Sequence, residues 1–219
     1  MKSQPKCIIF DCDGVLVDSE PITARILIQM SKEIGVDIDM DFVEANFTGN
    51  SWAGCAALIS QKGGGIQLPD DFEQEYRRRS SEAFKNEIQP IKGIPELINS
   101  LTIPYAVASS GPPAKIRLNL GLIGLLEKFE PHVYSCWDLQ VWKPDPTIYL
   151  HTAKTMGFAP EECVVVEDSL FGVQAGVAGG FRTFGYATQH TAADLAAAGA
   201  EVIFDMEALY QVVPNARLA

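Results

Sequence analysis

The sequence predicts a doubly wound α/β fold: a parallel sheet with helices on both faces and a small all-helical domain inserted near its start. Three observations carry that expectation. Short apolar runs alternate with longer periodic segments. The apolar runs show no polar alternation, as strands covered on both faces require. One long stretch, 20–87, holds helical patterns and no convincing strand.

Candidate strands fall at 7–11, 105–109, 133–135, 164–167, 181–186 and 202–204, and helical patterns at 96–101, 114–120, 146–156, 171–178 and 192–198. A parallel sheet needs that βαβα rhythm, because parallel neighbours are joined by crossovers. Within the insertion one helix opens at Pro21 and ends at Gly35, and others follow Asp39, Ser51 and Asp70. Asp70 with Glu73 three residues on reads as a capping box. The expected division is a core of 1–18 and 89–219 and a helical domain of 19–88. Gly63-Gly64-Gly65 reads as a flexible turn, since a phosphate-cradling loop would follow a strand and precede Lys-Ser/Thr.

Composition limits the function classes. The 219 residues suit one large domain or one with a modest insertion, and 47% hydrophobic content suits a globule with a sizeable core. A formal net charge of −11 argues against a nucleic-acid binder. An anionic ligand stays open, provided its site is locally positive. No apolar run approaches the ~20 residues of a membrane span. Residues 1–6 lead straight into a strand, so no signal peptide is expected. The five cysteines (Cys7, Cys12, Cys55, Cys136, Cys163) are scattered without CxxC spacing and read as reduced thiols of a cytoplasmic protein. A monomer is expected, with a homodimer as the alternative.

The chemistry begins at "IIFDCDGVLVDSE", residues 8–20, where an apolar strand breaks off into two aspartates. Unpaired carboxylates are almost never buried, so something positive should sit beside Asp11 and Asp13. Positions i and i+2 of a strand share a face, so the two acids can share a site, and Gly14 lets the chain turn away. A calcium loop would need an oxygen ligand where Val15 stands. Three further strand ends should meet Asp11 at the carboxyl edge of the sheet, where open parallel sheets bind ligands. They are Ser109-Ser110-Gly111, in which a serine before a helix is ordinarily just an N-cap; "WKPDP" with Lys143; and "VVVEDS" with Glu167 and Asp168. Singly each has an ordinary explanation. Together, acids suited to a hard divalent cation and a lysine with a hydroxyl suited to an anion point to Mg²⁺ and a phosphate ester.

With those motifs in order, the chain resembles the haloacid dehalogenase superfamily of phosphotransferases over nearly its whole length: Asp11-Cys12-Asp13-Gly14-Val15, Ser109, Lys143 in Trp-Lys-Pro-Asp-Pro, and Glu167-Asp168. The insertion resembles the cap of the β-phosphoglucomutase-like subgroup, and "VASSGPPAK" and "VYSCWDLQVWKPDP" resemble bacterial sugar-phosphate phosphatases. The resemblance implies a Mg²⁺-dependent phosphatase acting on a small phosphorylated sugar or sugar acid, 6-phosphogluconate being the first to test. It implies Asp11 as nucleophile and Asp13 as general acid and base. Asp11, Asp13 (through its carbonyl), Asp168 and Glu167 would hold or flank the metal. Lys143, Ser109, Ser110 and Gly111 would hold the transferring phosphoryl group. Thr48, Gly49, Asn50 and Trp52 are the cap residues expected at the substrate.

Two alternatives frame this reading. A phospho-aspartate receiver module also uses acids, a hydroxyl and a lysine, but is much shorter and carries its acceptor on a middle strand. A β-phosphoglucomutase would carry a histidine in the first cap helix and an arginine in the cap's substrate loop; Thr23 and Trp52 stand near those places, which favours hydrolysis. Arg77, Arg78 and Arg79 lie on a predicted helix, where at most one or two can face a ligand and a solvated face is the ordinary outcome. If one turned inward it could read a sugar-acid carboxylate. His132, His151 and His190 fall outside every motif and are expected at the surface. Gly172, Gly176, Gly179 and Gly180 are expected to serve close helix–sheet packing.

Overall fold

The computed structural model describes residues 4–47 and 52–213. Six strands, β1 (Cys7–Phe10), β2 (Tyr105–Ser109), β3 (Val133–Ser135), β4 (Cys163–Glu167), β5 (Arg182–Tyr186) and β6 (Glu201–Ile203), form one sheet in the order β3-β2-β1-β4-β5-β6. Every neighbouring pair is parallel. The chain runs outward from β1 to one edge, returns, and runs to the other. Open parallel sheets bind ligands beside such a reversal, here at the carboxyl ends of β1 and β4.

Both faces of the sheet are covered, which is why the strands do not alternate. All four residues of β1 are buried. Cys7 and Ile9 pack with Val165, Tyr149, Ile148 and Ala175, so that α9 (Thr147–Met156) and α10 (Leu170–Ala178) cover one face. Phe10 meets Phe129 of the short α7 (Leu126–Phe129) edge to face on the other, where Tyr105 packs on the same ring. The remaining core helices are α5 (Ile94–Ser100), α6 (Pro113–Leu122), α8 (Cys136–Leu139) and α11 (Ala192–Ala197). The sequence pattern missed α7 and α8, each a single turn too short to show a helical period.

The segment Asp18–Ile88 forms one compact unit and the chain before and after it forms the other. The unit is all-helical among its described residues: α1 (Glu20–Glu33), α2 (Met40–Phe47), α3 (Trp52–Lys62) and α4 (Phe72–Glu87). The capping box expected at Asp70 and Glu73 does not form. Helix α4 opens at Phe72 behind Asp71, one residue past the expected cap and with no side-chain cap, and Glu73 pairs with Arg77. The triple glycine is a turn that closes α3, with Gly64 and Gly65 at positive φ.

No helix among the described residues is long and apolar enough to cross a membrane. All five cysteines are free and buried. His151 and His190 are exposed and His132 half-buried.

Candidate active site

Strand β1 ends at Phe10, one residue before the first acid. Asp11 is still tied to the sheet, since its N–H donates to the Val166 carbonyl at 2.9 Å. Beyond it the chain enters a tight turn in which the Leu16 and Val17 amides both bond the Cys12 carbonyl. Gly14 adopts φ +77°, and a Cβ there would lie 1.9 Å from Asp168 Oδ2. The glycine thus leaves the space that the Asp168 carboxylate fills.

Lys143 is the centre of the site. It follows β3 and α8, and its Nζ stands 2.6 Å from Asp11 Oδ1, 2.6 Å from Glu167 Oε1 and 3.2 Å from the Ala108 carbonyl. The ammonium also lies 4.8 Å from the centre of the Tyr149 ring. Three acceptors for three donors leave it fully engaged. Burial pulls its pKa down, yet Asp11 and Glu167 hold it well above the ordinary lysine value. This is the positive charge required beside the buried Asp11.

The two acids respond differently. Burial pushes the Asp11 carboxyl up to about 7, against the pull of Lys143 and with Glu167 adding to the rise. Glu167 is buried too, but its pKa lies below the ordinary value: Lys143, the Ser169 amide and Tyr149 together outweigh the desolvation. Its Oε1 accepts from Lys143 and from the Tyr149 hydroxyl, the latter at 2.7 Å. Its Oε2 accepts from the amides of Asp168 and Ser169 and from the Ser169 hydroxyl. With five donors, Glu167 is saturated as an acceptor. Gly172 makes room for it, since a Cβ at that position would lie 1.8 Å from Oε1.

Asp11, Glu167 and Asp168 each offer a carboxylate oxygen, all within 4.8 Å of one another. An all-oxygen set of this size fits Mg²⁺, which prefers carboxylates and water. The cradle that Gly14 leaves for Asp168 supports the same fit. Within the set, Glu167 is the weaker ligand, because its lone pairs are already committed.

The two aspartates of the DxD motif take different cations as partners. Alternation along a strand placed both on one face, but the strand stops at Phe10 and Asp13 sits in the turn. Its carboxylate takes partners from α6, with Oδ2 2.8 Å from Lys115 Nζ and Oδ1 3.4 Å from Asn119 Nδ2, while its charge still adds to the rise at Asp11. Cys12 between them is fully buried, and burial with both aspartates raises its thiol well above the ordinary range.

Ser109 is buried at the end of β2 and its Oγ accepts from the Gly111 amide at 3.0 Å. A Cβ on Gly111 would touch Ser109 Oγ at 3.4 Å and Asp13 Oδ2 at 3.7 Å, so the serine and the second aspartate face one small space. Ser135 holds this loop in place, its hydroxyl donating to the Gly111 carbonyl at 2.6 Å. Ser110 is exposed, with its hydroxyl 3.9 Å from Cys136 Sγ.

The expected contacts of the helical unit fare differently. Thr48, Gly49 and Asn50 lie outside the described residues. Trp52 stacks on Tyr76 at 5.1 Å and leans on Phe72. Thr23 turns its hydroxyl back to the Ser19 and Glu20 carbonyls. Arg77 pairs with Glu73, Arg78 with Glu75, and Arg79 bridges Glu75 and Glu33. The solvated, ion-paired face is thus the one the structure shows.

Tyr149, Ser169, Lys115 and Asn119 are not among the candidate site residues that the sequence yields, though Ser169 ends VVVEDS and Lys115 ends VASSGPPAK. Tyr149 stood in a helical pattern as an ordinary core residue, and Lys115 lies 102 residues from the aspartate it meets.

A family model for haloacid dehalogenase-like hydrolases matches residues 5–180, and the chain belongs to that family of enzymes. It is 34% identical to the 6-phosphogluconate phosphatase of Escherichia coli K12 over 182 residues, 83% of this chain and 82% of that one. Among solved structures, a haloacid dehalogenase-like protein from Agrobacterium tumefaciens C58 superposes with a TM-score of 0.86 at 33% identity, covering 95% of this chain and 97% of the other. A family hydrolase from Deinococcus radiodurans R1, solved with bound phosphate and sodium, gives 0.80 at 30% identity, covering 95% and 96%.

Proposed function

We propose that the protein is a Mg²⁺-dependent phosphatase that hydrolyses a small sugar or sugar-acid phosphate through an aspartyl-phosphate on Asp11. The single observation that carries this reading is the buried Asp11–Lys143–Glu167 group at the carboxyl edge of the sheet, with Asp168 and Ser109 beside it. A nucleophilic carboxylate, a fixed cation and a hydroxyl suit the charge of a transferring phosphoryl group. The named relative is a phosphatase of a sugar-acid phosphate, and phosphate is bound in one structural neighbour; both support the class of ligand.

In this mechanism Asp11 attacks phosphorus with the carboxylate oxygen that Lys143 does not hold. Asp13 gives a proton to the departing sugar oxygen, then takes one from the water that attacks the aspartyl-phosphate, and inorganic phosphate leaves. Lys143 and Ser109 meet the phosphoryl oxygens. Because every Lys143 proton is engaged, a phosphoryl oxygen takes over the longest of its bonds, the one to the Ala108 carbonyl. Glu167 orients Lys143, and the amides of Asp168 and Ser169 orient Glu167. A divalent cation held by the Asp11 and Asp168 carboxylates and the Asp13 carbonyl would neutralise developing phosphoryl charge.

The helical unit serves as the cap that limits the ligand to a small metabolite in the cytoplasm. Hydrolysis is favoured over mutase chemistry because Thr23 and Trp52 are bonded and stacked within that unit. The sugar-acid choice, with 6-phosphogluconate first, rests on the relative, since Arg77, Arg78 and Arg79 are each paired with a carboxylate. Asp11→Asn should abolish phosphate release and covalent ³²P labelling while leaving the circular dichroism spectrum unchanged. Wild-type turnover in that variant, or full activity after chelation, would reject the mechanism.

A further inference from the structure

Lys115 and Asn119 stand four residues apart on α6, on one face of the helix, and both turn toward the Asp13 carboxylate. Asn119 is fully buried, and its Oδ1 finds no hydrogen-bond partner among the described residues. A buried acceptor left without a partner lowers stability. The orientation that incurs this cost is nevertheless the one a carboxylate requires, because only the amide nitrogen can donate to it. Lys115 supplies the charge-assisted contact, and its side chain is about one-third exposed, at 31%. The carboxylate so held shares with Ser109 the space above Gly111, where the phosphoryl group is placed by the mechanism above. The lysine is therefore aimed at the second aspartate and Lys143 at the first. The two cations divide the DxD motif between them.

We propose that Lys115, with Asn119 behind it, is a positioning residue that holds the Asp13 carboxylate on the leaving-group side of the site. The inference rests on the reading of Asp13 as general acid and base. It makes Lys115 matter only for substrates whose leaving oxygen needs a proton. A sugar alkoxide does, whereas 4-nitrophenolate leaves without one. In kcat/KM, which reports events up to departure of the leaving group, the two should separate.

The test compares Lys115→Met, Lys115→Arg, Asp13→Asn and the double variant Lys115→Met/Asp13→Asn. The substrates are p-nitrophenyl phosphate and the best of 6-phosphogluconate, glucose 6-phosphate and glycerol 3-phosphate. General acid catalysis is worth about 10²–10⁴-fold, and losing its alignment should remove at least about tenfold of this. Lys115→Met should lower kcat/KM on the sugar or glycerol ester by that factor and leave the aryl ester within about twofold. Lys115→Arg, which keeps the cation, should recover part of the loss. On the Asp13→Asn background Lys115→Met should cost nothing further, because a positioning residue has no effect once the group it positions is gone.

Equal losses on both substrates would overturn the inference in favour of a general phosphate-binding or structural role. Losses that multiply in the double variant would overturn it in favour of direct substrate contact. If Asp13→Asn abolishes turnover of the alkyl ester and Lys115→Met leaves it intact, this inference alone falls. If Asp13→Asn keeps wild-type turnover, the reading of Asp13 falls and the inference with it. The same holds if none of the three alkyl esters is hydrolysed.

Discussion

Replacing Lys143 by methionine removes the one charge that both Asp11 and Glu167 contact, and the structure sets the size of the effect. The three side chains are 6%, 10% and 1% exposed, so water cannot take over from the ammonium. Breaking a buried pair by deleting one partner costs about 3–5 kcal/mol. At roughly 2–4 °C per kcal/mol for a chain of this size, the melting temperature should fall by about 6–20 °C. The pH dependence separates this cause from lost packing against the Tyr149 ring. In the wild-type protein Asp11 already titrates near 7 because burial outweighs Lys143. Without Lys143 its pKa rises further, and that of Glu167 rises from its depressed value. Between the old and new values the variant's native state keeps a proton that the wild-type native state has lost. Its stability therefore falls with pH relative to wild type, by about 1.4 kcal/mol per pH unit for each such group. The gap should be smallest near pH 5.5 and largest near pH 8.5. Urea denaturation of both proteins in chelator at those two pH values measures it. A gap that is constant, or that narrows as pH rises, would refute the electrostatic account. So would a loss under about 1 kcal/mol at pH 8.5, a value typical of a solvent-exposed pair.

One further substitution and one further assay test the same reading. Alanine normally stabilises a helix over glycine by about 0.5–1 kcal/mol, but Gly172→Ala should destabilise by about 1–3 kcal/mol, as overpacking does. Its Cβ would occupy the place of Glu167 Oε1, and activity should fall with stability; a variant as stable and active as wild type would show that Glu167 is free to move aside. Incubation with β-glucose 1-phosphate and a trace of the bisphosphate should release inorganic phosphate without glucose 6-phosphate. Efficient isomerisation would show that a cap with Thr23 bonded to its own backbone and Trp52 stacked on Tyr76 can still orient a sugar hydroxyl.

The sequence by itself determined the strands, because burial on both faces is a local property. Ile8, Ile9 and Phe10 need apolar neighbours whichever helices supply them, and an unalternated run records that need. It also determined that Asp11 required a cation, since a carboxylate closing a buried strand must be compensated. Lys143 was legible as the partner only through its motif, and the structure seats it 2.6 Å from both acids. What tertiary structure alone decided was how the acids divide. Asp13 stands near enough for its charge to act on Asp11, yet its own partners, Lys115 and Asn119, come from α6, and no pattern along the strand records them. The same holds for Tyr149, whose pattern was that of any core residue on a helix until folding set its hydroxyl against Glu167. Periodicity reports which face of an element is buried. It carries no record of which atom from a strand or helix a hundred residues away will stand opposite, because strand order and the turns between elements set that meeting.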